Sequence, residues 1–388
     1  MQDSSGDISH LEREASCETT SPERLEQLMR ESPKLARRIA QNPVAPGDLL
    51  QRLSKHKDRA TREAVAANPN TPAAILSKLG AEFPEQLLDN PIFALLTLES
   101  PNFVVKMPQD TLERLLCQKR TPTFVFEQAT NHSDQSIRYS LADSPQTPVS
   151  ALDKLARDKE SIIRHVVARN PSTPVSLLEQ LTRDRDETVR RTVVRNPSTP
   201  ISLLEQLARD GNGIVRRAVV GNPRTPVATV GTLVGDRNRD VRCAVARHSQ
   251  IPPSLLEELA RDRHWEVRSA VAKNVKTPIA LLKELASDNN WEVRETVAKN
   301  PQIPSALLQE LARDRSRDVR CAIARNPKTP NSLLAKLAKD EAVSVRAAVA
   351  RNPKTPAPII EELKRDRDCT LFNQRGPNMR YSIRIDTS

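Results

Sequence analysis

The sequence predicts an all-α protein, a right-handed superhelical α-solenoid built from 26-residue two-helix repeats. Prolines recur at an exact interval of 26 residues over most of the chain. Aromatic residues make up only 3% of it, although a compact core in a chain of 388 residues would normally draw much of its buried area from them. Each interval also holds two short apolar stripes with helical spacing, which together with the period is typical of stacked repeats. The repeating prolines are Pro122, Pro148, Pro174, Pro200, Pro226, Pro252, Pro278, Pro304, Pro330 and Pro356.

The first helix of each repeat is predicted to open at a Thr-Pro pair. In the repeat that spans 170–195, Thr173 is a natural N-cap, and Pro174 suits the first helical position, where its missing N–H costs nothing. Leu177, Leu178 and Leu181 then fall on one face and form a core stripe.

The second helix is predicted to begin after a residue whose side chain can cap it. Val189 and Val193, four residues apart, are expected to bury against the leucine stripe. The Asn-Pro pair that follows ends the helix, because a residue before proline avoids the α region. The predicted capping residues, all at one position of the repeat, are Asp186, Asn212, Asn238, Asn290 and Ser316.

Charged residues also recur in nearly every repeat, aspartates from Asp158 to Asp366 and arginines from Arg164 to Arg346. A catalytic site needs its residues once, whereas a ladder needs one in every layer, so we predict a structural Asp–Arg ladder between helix ends and neighbouring repeats. A recurring asparagine, replaced by His248 in one repeat, likewise predicts a ladder that caps turns.

The repeat pattern D-x-x-x-x-V-R-x-x-V-A-R-N-P-x-T-P-x-x-L-L-x-x-L-A resembles that of the bacterial leucine-rich repeat variant proteins, and it is similar in style to HEAT-like repeats. The resemblance covers roughly residues 120–368 well and 36–80 moderately. It implies the solenoid fold and almost nothing about function. The founding example of the family carries an N-terminal iron–sulfur cluster held by cysteines. Because Cys17 alone does not match such a ligand set, no cofactor is predicted.

Departures from the period divide the chain into five segments. Residues 1–20 are polar and without periodicity, which predicts a disordered N-terminal tail. Residues 21–80 are degenerate N-terminal repeats, and 119–368 are the regular tandem repeats. Residues 81–118 are an irregular Phe-rich insert within the solenoid, since Pro72 and Pro122 are not a multiple of 26 apart. Residues 369–388 are either a loose tail or a C-terminal cap.

Five of the six phenylalanines lie between 83 and 126. They indicate either an irregular pair of repeats with a core of larger side chains or a hinge or apolar docking groove, and the first interpretation is favoured.

Function is expected where the repeats differ on an exposed face. The first position of the second helix carries the only two tryptophans of the chain, Trp265 and Trp291, in adjacent repeats between Arg239 and Arg317. Stacked helices lie about 8–10 Å apart, so the indoles are predicted to lie side by side. Trp and Arg are enriched in binding hot spots, although each indole could instead pack over the neighbouring helix. The predicted binding residues are Arg191, Arg217, Arg239, His264, Trp265, Asn290, Trp291 and Arg317.

The net charge of +11 suggests anionic partners, with nucleic acid first, but it is also compatible with a well-solvated solenoid. Two recurring rows of Arg and Lys, which include Arg195 and Arg183, flank the turns between helices. The five cysteines are widely spaced and form no CxxC pair, so no metal site is predicted. No apolar run is long enough to span a membrane, and a cytoplasmic protein is expected.

The sequence therefore predicts a non-catalytic scaffold that binds a protein partner through a Trp/Arg hot spot on one solenoid face. The alternative is a solenoid that binds nucleic acid through its basic rows. The chain has no phosphate-binding loop, dinucleotide motif, HExxH or GxSxG motif, so no catalytic residue is predicted. A minor alternative is a base-handling protein similar to HEAT-like DNA glycosylases, with Trp265 and Trp291 beside Arg239 and Glu266.

Overall fold

Residues 4–100 and 102–365, which a computed structural model describes, are all-helical. Helices follow one another in pairs, and this part of the chain contains no strand, so the predicted α-solenoid class is confirmed. Asp366, the last predicted rung of the Asp–Arg ladder, and the predicted tail or cap at 369–388 lie outside the described residues. The chain divides into two compact units, Met1–Pro200 and Ile201–Ser388, which we call the N-terminal and C-terminal units.

The described part of the N-terminal unit contains helices α1 to α15 and one 3-10 helix, Pro33–Leu35. The α-helices are α1 (Ser4–Ser16), α2 (Pro22–Glu31), α3 (Ala36–Gln41), α4 (Gly47–Leu53), α5 (Arg59–Ala67), α6 (Ala73–Leu79), α7 (Pro84–Asp89), α8 (Pro91–Glu99), α9 (Gln109–Leu116), α10 (Thr123–Ala129), α11 (Gln135–Asp143), α12 (Val149–Leu155), α13 (Ser161–Arg169), α14 (Val175–Leu181) and α15 (Glu187–Arg195).

The described part of the C-terminal unit contains helices α16 to α28 and follows the 26-residue period throughout. They are α16 (Ile201–Leu207), α17 (Gly213–Gly221), α18 (Val227–Gly231), α19 (Arg239–Arg247), α20 (Pro253–Leu259), α21 (Trp265–Lys273), α22 (Ile279–Ala286), α23 (Trp291–Lys299), α24 (Ser305–Leu311), α25 (Arg317–Arg325), α26 (Asn331–Leu337), α27 (Val343–Arg351) and α28 (Ala357–Lys364). The odd-numbered helices from α11 to α27, each of nine residues, are the second helices of the repeats.

The core of a repeat lies between its two helices and the second helix of the next repeat. In α22 the buried stripe includes Leu281, Leu282 and Leu285, and in α23 Val293 and Val297 are buried against it. The second helices pack directly on one another, from α11 to α15 in the N-terminal unit and from α17 to α27 in the C-terminal unit. Helices this short are marginal alone, so stacking stabilises them.

The predicted N-caps of the second helices are confirmed. The side chains of Asp186, Asn212, Asn238, Asn290 and Ser316 each accept a hydrogen bond from the backbone N–H two residues later. The first helices differ from the prediction. Helix α14 begins at Val175 after Pro174, and the Thr173 hydroxyl donates to the Val167 carbonyl, 2.6 Å away, instead of capping α14. The threonine thus closes the turn that precedes the helix.

The predicted Asp–Arg ladder is also confirmed. Seven arginines at position 4 of a second helix, from Arg138 to Arg320, pair with the aspartate twenty residues later, which belongs to the next repeat. In the six from Arg164 onward, the guanidinium also donates to the backbone carbonyl of its own repeat's aspartate, as Arg268 does to Asp262. One side chain therefore joins two repeats and fixes the turn before its own helix.

The recurring asparagines form the second predicted ladder. The Asn300 side-chain amide donates to the carbonyls of Ala272 and Asn274 in the preceding repeat, and its carbonyl accepts from the Gln302 N–H. His248, at the same position of its repeat, accepts a 3.3 Å hydrogen bond from the Gln250 N–H.

The N-terminal segment predicted as a disordered tail, residues 1–20, differs in the structure, because Ser4–Ser16 forms helix α1. Ala15 is completely buried, and the Asn42 amide donates to the carbonyls of Ala15 and Cys17, 2.9 Å from each. Glu14 and Arg24 form a salt bridge between α1 and α2. The first rung of the asparagine ladder thus reaches back to this segment.

The Phe-rich segment contains α7, α8 and α9. Phe93 is buried, and its ring centroid lies 6.3 Å from that of Phe103 and 6.1 Å from that of Phe124. These contacts agree with the interpretation of an irregular pair of repeats with larger core side chains. Leu95 and Leu98, on the outer side of α8, are 56% and 79% exposed.

Candidate binding face of the second helices

Positions 1, 5 and 9 of a nine-residue helix lie along one side of it, because residues four apart are neighbours on a helix surface. In the C-terminal unit these positions of α19, α21, α23 and α25 form what we call the second-helix face. Position 1 is an aromatic edge formed by Arg239, Trp265, Trp291 and Arg317. Position 9 is a basic edge formed by Arg247, Lys273, Lys299 and Arg325, and Arg351 of α27 extends it. The edges are about 12 Å apart, at 1.5 Å per residue.

The aromatic edge places the two tryptophans on neighbouring helices that pack together. Trp291 is 41% exposed and Trp265 is half-buried. No ring–ring contact joins the two indoles among the described residues. Gly213 has the same position in α17 and shows what a side chain at position 1 faces. A Cβ added to Gly213 would lie 2.4 Å from the side chain of Asn238, which is the N-cap of α19. A side chain at position 1 therefore partly covers the start of the next second helix.

The two predicted residues that precede the tryptophans have different roles. Asn290 caps α23, since its side-chain oxygen accepts from the Glu292 N–H at 2.7 Å. It is thus committed to a structural hydrogen bond. His264 occupies the N-cap position of α21 without a side-chain capping bond, and its backbone N–H donates to Asp262. Its imidazole is half-buried beside Trp265 in the chain.

The two arginines of the aromatic edge also differ. The Arg239 Nη1 lies 2.6 Å from Glu266 Oε1, and its Nη2 lies 3.5 Å from Asp240 Oδ1. Arg317 is exposed and makes no ion pair with any other described residue. Arg317 is consequently the arginine of this edge that is available to a ligand.

Between the two edges, position 5 carries small or acidic side chains. Cys243 and Cys321 are buried, and burial raises the pKa of the Cys243 thiol. The Ser269 hydroxyl lies 2.9 Å from the Thr296 hydroxyl of the next helix. Glu295 forms a salt bridge with Lys299, 2.7 Å apart. Position 5 is therefore buried or half-buried, whereas position 9 is exposed.

Every residue of the basic edge is exposed. Lys299 is paired with Glu295, whereas Arg247, Lys273, Arg325 and Arg351 form no ion pair with a described residue. In the N-terminal unit, Arg169, at position 9 of α13, pairs with Asp143, at position 9 of α11, at 2.7 Å. Arg195, at position 9 of α15, is exposed and forms no ion pair with a described residue. An unbroken row of cations at position 9 over five successive second helices is found from α19 to α27.

The remaining two predicted residues, Arg191 and Arg217, occupy position 5 of α15 and α17. Arg191 lies in the N-terminal unit, where its Nε is buried without a hydrogen-bond partner in the described residues. Neighbouring His165 is hydrogen-bonded through Nδ1 to the Thr192 hydroxyl, and burial lowers the pKa of its imidazole, with further lowering by Arg169 and Arg191. Arg217 is exposed in the C-terminal unit.

The sequence analysis considered the tryptophans and the basic rows as separate features. It did not predict that the aromatic edge and the basic edge lie on the same side of the second helices. The signal was present, because Trp265 and Lys273, like Trp291 and Lys299, are eight residues apart within one helix. A spacing of eight places both residues on the same side of a helix.

Other types of site find no support in the described ranges. Residues 4–100 and 102–365 bring together no group of three His, Cys, Asp or Glu side chains that could hold a metal ion. No helix in those ranges has the length and apolarity needed to cross a bilayer.

Two models of the same repeat family match the chain. The model described as Leucine Rich Repeat Variant domain matches residues 9–68 and 294–353, and the model described as Leucine rich repeat variant matches 187–212 and 239–264. No curated protein matches the chain.

Solved structures show weaker likeness. A leucine-rich repeat variant with a novel repetitive structural motif is 29% identical, covering 57% of this chain and 87% of its own, with a TM-score of 0.46. A chain from a structure that describes Kap95p binding to RanGDP is 11% identical. The match covers 88% of this chain and 55% of that one, with a TM-score of 0.27. An engineered protein is 15% identical. The match covers 92% of this chain and 99% of that one, with a TM-score of 0.18. The family models identify leucine-rich repeat variant repeats at the residues that they match.

Proposed function

Because this chain is built from leucine-rich repeat variant repeats, we propose that it is a non-catalytic scaffold whose second-helix face binds a protein partner. The observation that carries the proposal is the exposure of Trp291 beside half-buried Trp265 on adjacent helices, in a chain with no other tryptophan. Aromatic side chains that are partly exposed on a rigid support are favoured anchors at protein interfaces. Arg317 adds a free guanidinium at the end of the same edge.

The contacts within the face support binding over chemistry. Arg239 and Glu266, which could act on a nucleotide in a glycosylase-like site, pair with each other. The ladder aspartates and arginines are paired in repeat after repeat, as stabilising elements would be. Regular packing of the second helices holds the edge residues on rigid elements, which reduces the entropy lost on binding.

The basic edge favours a second candidate, a nucleic-acid-binding solenoid. Arg247, Lys273, Arg325 and Arg351 are exposed and without ion pairs in the described chain, as residues that contact phosphates would be. In that case the tryptophans would stack on unpaired bases.

Salt and substitution separate the two candidates. Binding of labelled single-stranded and double-stranded DNA and RNA would be followed by fluorescence anisotropy at low and physiological salt, beside a pull-down with the full chain as bait. The scaffold is supported if the wild type retains a protein partner at physiological salt and the variant Trp265→Ala/Trp291→Ala does not. Ile279→Ala is the matched control, since Ile279 is an exposed apolar residue on a first helix. Tight oligonucleotide binding that persists at physiological salt and quenches tryptophan emission would replace the scaffold with the second candidate.

A further inference from the structure

The two edges of the second-helix face carry different charge. On the aromatic edge, Glu266 and Glu292 directly follow the tryptophans, and Asp240 and Asp318 follow the arginines. These four carboxylates nearly balance the five guanidiniums of position 1 and of the exposed turns before it, which belong to Arg237, Arg239, Arg263, Arg315 and Arg317. The basic edge has five cations against one nearby carboxylate, Glu295. Three exposed lysines in the turns that follow the second helices add to this edge, Lys276, Lys328 and Lys354. The face is therefore strongly positive along one side and nearly neutral along the other.

The repeat does not require a cation at position 9. The same position is occupied by Ala67 in α5, by Asp143 in α11 and by Gly221 in α17, and each of these helices still ends at the usual asparagine or serine. A cation in the last turn gains only about 0.3–1 kcal/mol from the helix dipole at an exposed site. The unbroken row from Arg247 to Arg351 is thus more than the fold needs, and a ligand with negative charge accounts for it.

From this charge pattern, and resting on the proposed scaffold function, we propose that the face binds an amphipathic acidic α-helix of the partner protein. The partner helix lies across α19 to α27, with its apolar side on Trp265 and Trp291 and a row of carboxylates on the basic edge.

The dimensions of the face fit such a helix. An α-helix with its side chains is about 10–12 Å wide, which equals the distance of about 12 Å between the edges. Two residues seven apart in the partner are separated by about 10.5 Å along its axis. The spacing of packed helices is about 8–10 Å, so successive heptads of the partner meet successive repeats of this chain. Apolar residues at i and i+7 would reach the two tryptophans, while glutamates with the same spacing would reach Lys273 and Lys299.

Nucleic acid fits the same face less well. A single strand is negative along its whole length, so bases stacked on Trp265 and Trp291 would bring phosphates close to Glu266 and Glu292. An amphipathic helix carries its carboxylates on one side only and avoids this repulsion. Its other side can present apolar or basic residues to the aromatic edge.

The test is an unbiased selection of helical peptides from a random displayed library against the full chain. Enriched peptides are synthesised with a fluorescent label, and their dissociation constants are measured by anisotropy. The chain is used as wild type, as an edge variant (Lys273→Glu, Lys299→Glu, Arg325→Glu), as a Trp variant (Trp265→Ala, Trp291→Ala) and as a control variant. The control, Arg261→Glu, Lys283→Glu, Arg313→Glu, makes the same change in charge at exposed positions in and after the first helices. Circular dichroism establishes that each variant is folded.

The expected result is enrichment of peptides with apolar residues at heptad spacing and glutamate or aspartate along one flank. Their affinity should fall at least tenfold in the edge variant and in the Trp variant, and less than twofold in the control. Two results would overturn the proposal of an acidic helix and leave the scaffold function intact. One is enriched peptides that need the tryptophans but lack acidic residues, and the other is peptides that need the tryptophans but bind the edge variant as well as the wild type. An absence of any peptide that depends on the tryptophans would overturn both. A 20-nucleotide single strand that binds more tightly than every peptide and loses binding in both variants would overturn both in favour of nucleic acid.

Discussion

Arg294 and Asp314 form a bidentate ion pair between neighbouring repeats, with both side chains only 6% exposed. The Arg294 Nε donates to Asp314 Oδ2 at 2.6 Å and its Nη2 donates to Oδ1 at 2.9 Å. The remaining nitrogen, Nη1, donates to the Asp288 carbonyl at 2.7 Å. Asp314 also accepts from the Ser316 N–H. Both charges are thus fully hydrogen-bonded, as buried charges must be if they are to stabilise a fold.

Removing one member of this pair should destabilise the C-terminal unit strongly. Asp314→Ala leaves the Arg294 guanidinium buried without its counter-charge, and we expect the free energy of unfolding to fall by about 3–5 kcal/mol. The double variant Arg294→Leu/Asp314→Leu removes both charges and should lose less. Urea denaturation followed by circular dichroism measures both. A single variant that loses less than about 1 kcal/mol would contradict a stabilising ladder.

The same ladder should make the C-terminal unit sensitive to acid. Burial alone would raise the pKa of Asp262, Asp288 and Asp314, but hydrogen bonds from the paired arginine and from a backbone N–H hold each pKa below its usual value. A lowered pKa in the folded state contributes stability above the unfolded pKa of about 3.9, and that stability is lost as the pH falls through the folded pKa. Thermal melts should therefore change little between pH 7 and 5 and fall steeply below about pH 4. A melting temperature that stays constant down to pH 3 would show that these ion pairs contribute nothing.

The period of the sequence was sufficient to predict the fold and its ladders, because an Asp, Arg or Asn at one position of successive repeats meets the same neighbours in every layer. It did not reveal that Arg294 pairs with the carboxylate of Asp314 in the next repeat and donates to the backbone carbonyl of Asp288 in its own, since both aspartates lie at a fixed spacing from it. It also misplaced Thr173, because a threonine before proline suits an N-cap and a turn equally well. Helix α1 was missed because its sequence is mostly polar and its contacts, such as the hydrogen bond from Asn42 to the Ala15 carbonyl, come from residues distant in sequence.

His248 is expected to be a weak rung of the asparagine ladder. An asparagine at this position can donate to two carbonyls of the preceding repeat, as Asn300 does to Ala272 and Asn274. Burial lowers the pKa of His248, with a smaller effect from Lys276, so the imidazole is neutral at pH 7 and has a single N–H to donate. His248→Asn should therefore raise the free energy of unfolding by about 1 kcal/mol, measured by urea denaturation. The reverse change, Asn300→His, is the matched control and should lower it. If both changes left the stability unaltered, the asparagine amides would not stabilise the repeats.

Trp291 should matter little for stability, which would distinguish a binding residue from a core residue. Its side chain is 41% exposed at the start of α23, where alanine is a good helix former, so Trp291→Ala should change the free energy of unfolding by less than about 1 kcal/mol. Val293→Ala, two residues later and completely buried, should cost about 2 kcal/mol because it opens a cavity. Trp265→Ala should fall between them, since Trp265 is half-buried. If Trp291→Ala instead costs as much as Val293→Ala in the same urea titration, the indole stabilises the next repeat by packing, and the aromatic edge would be a structural feature rather than a surface kept for a partner.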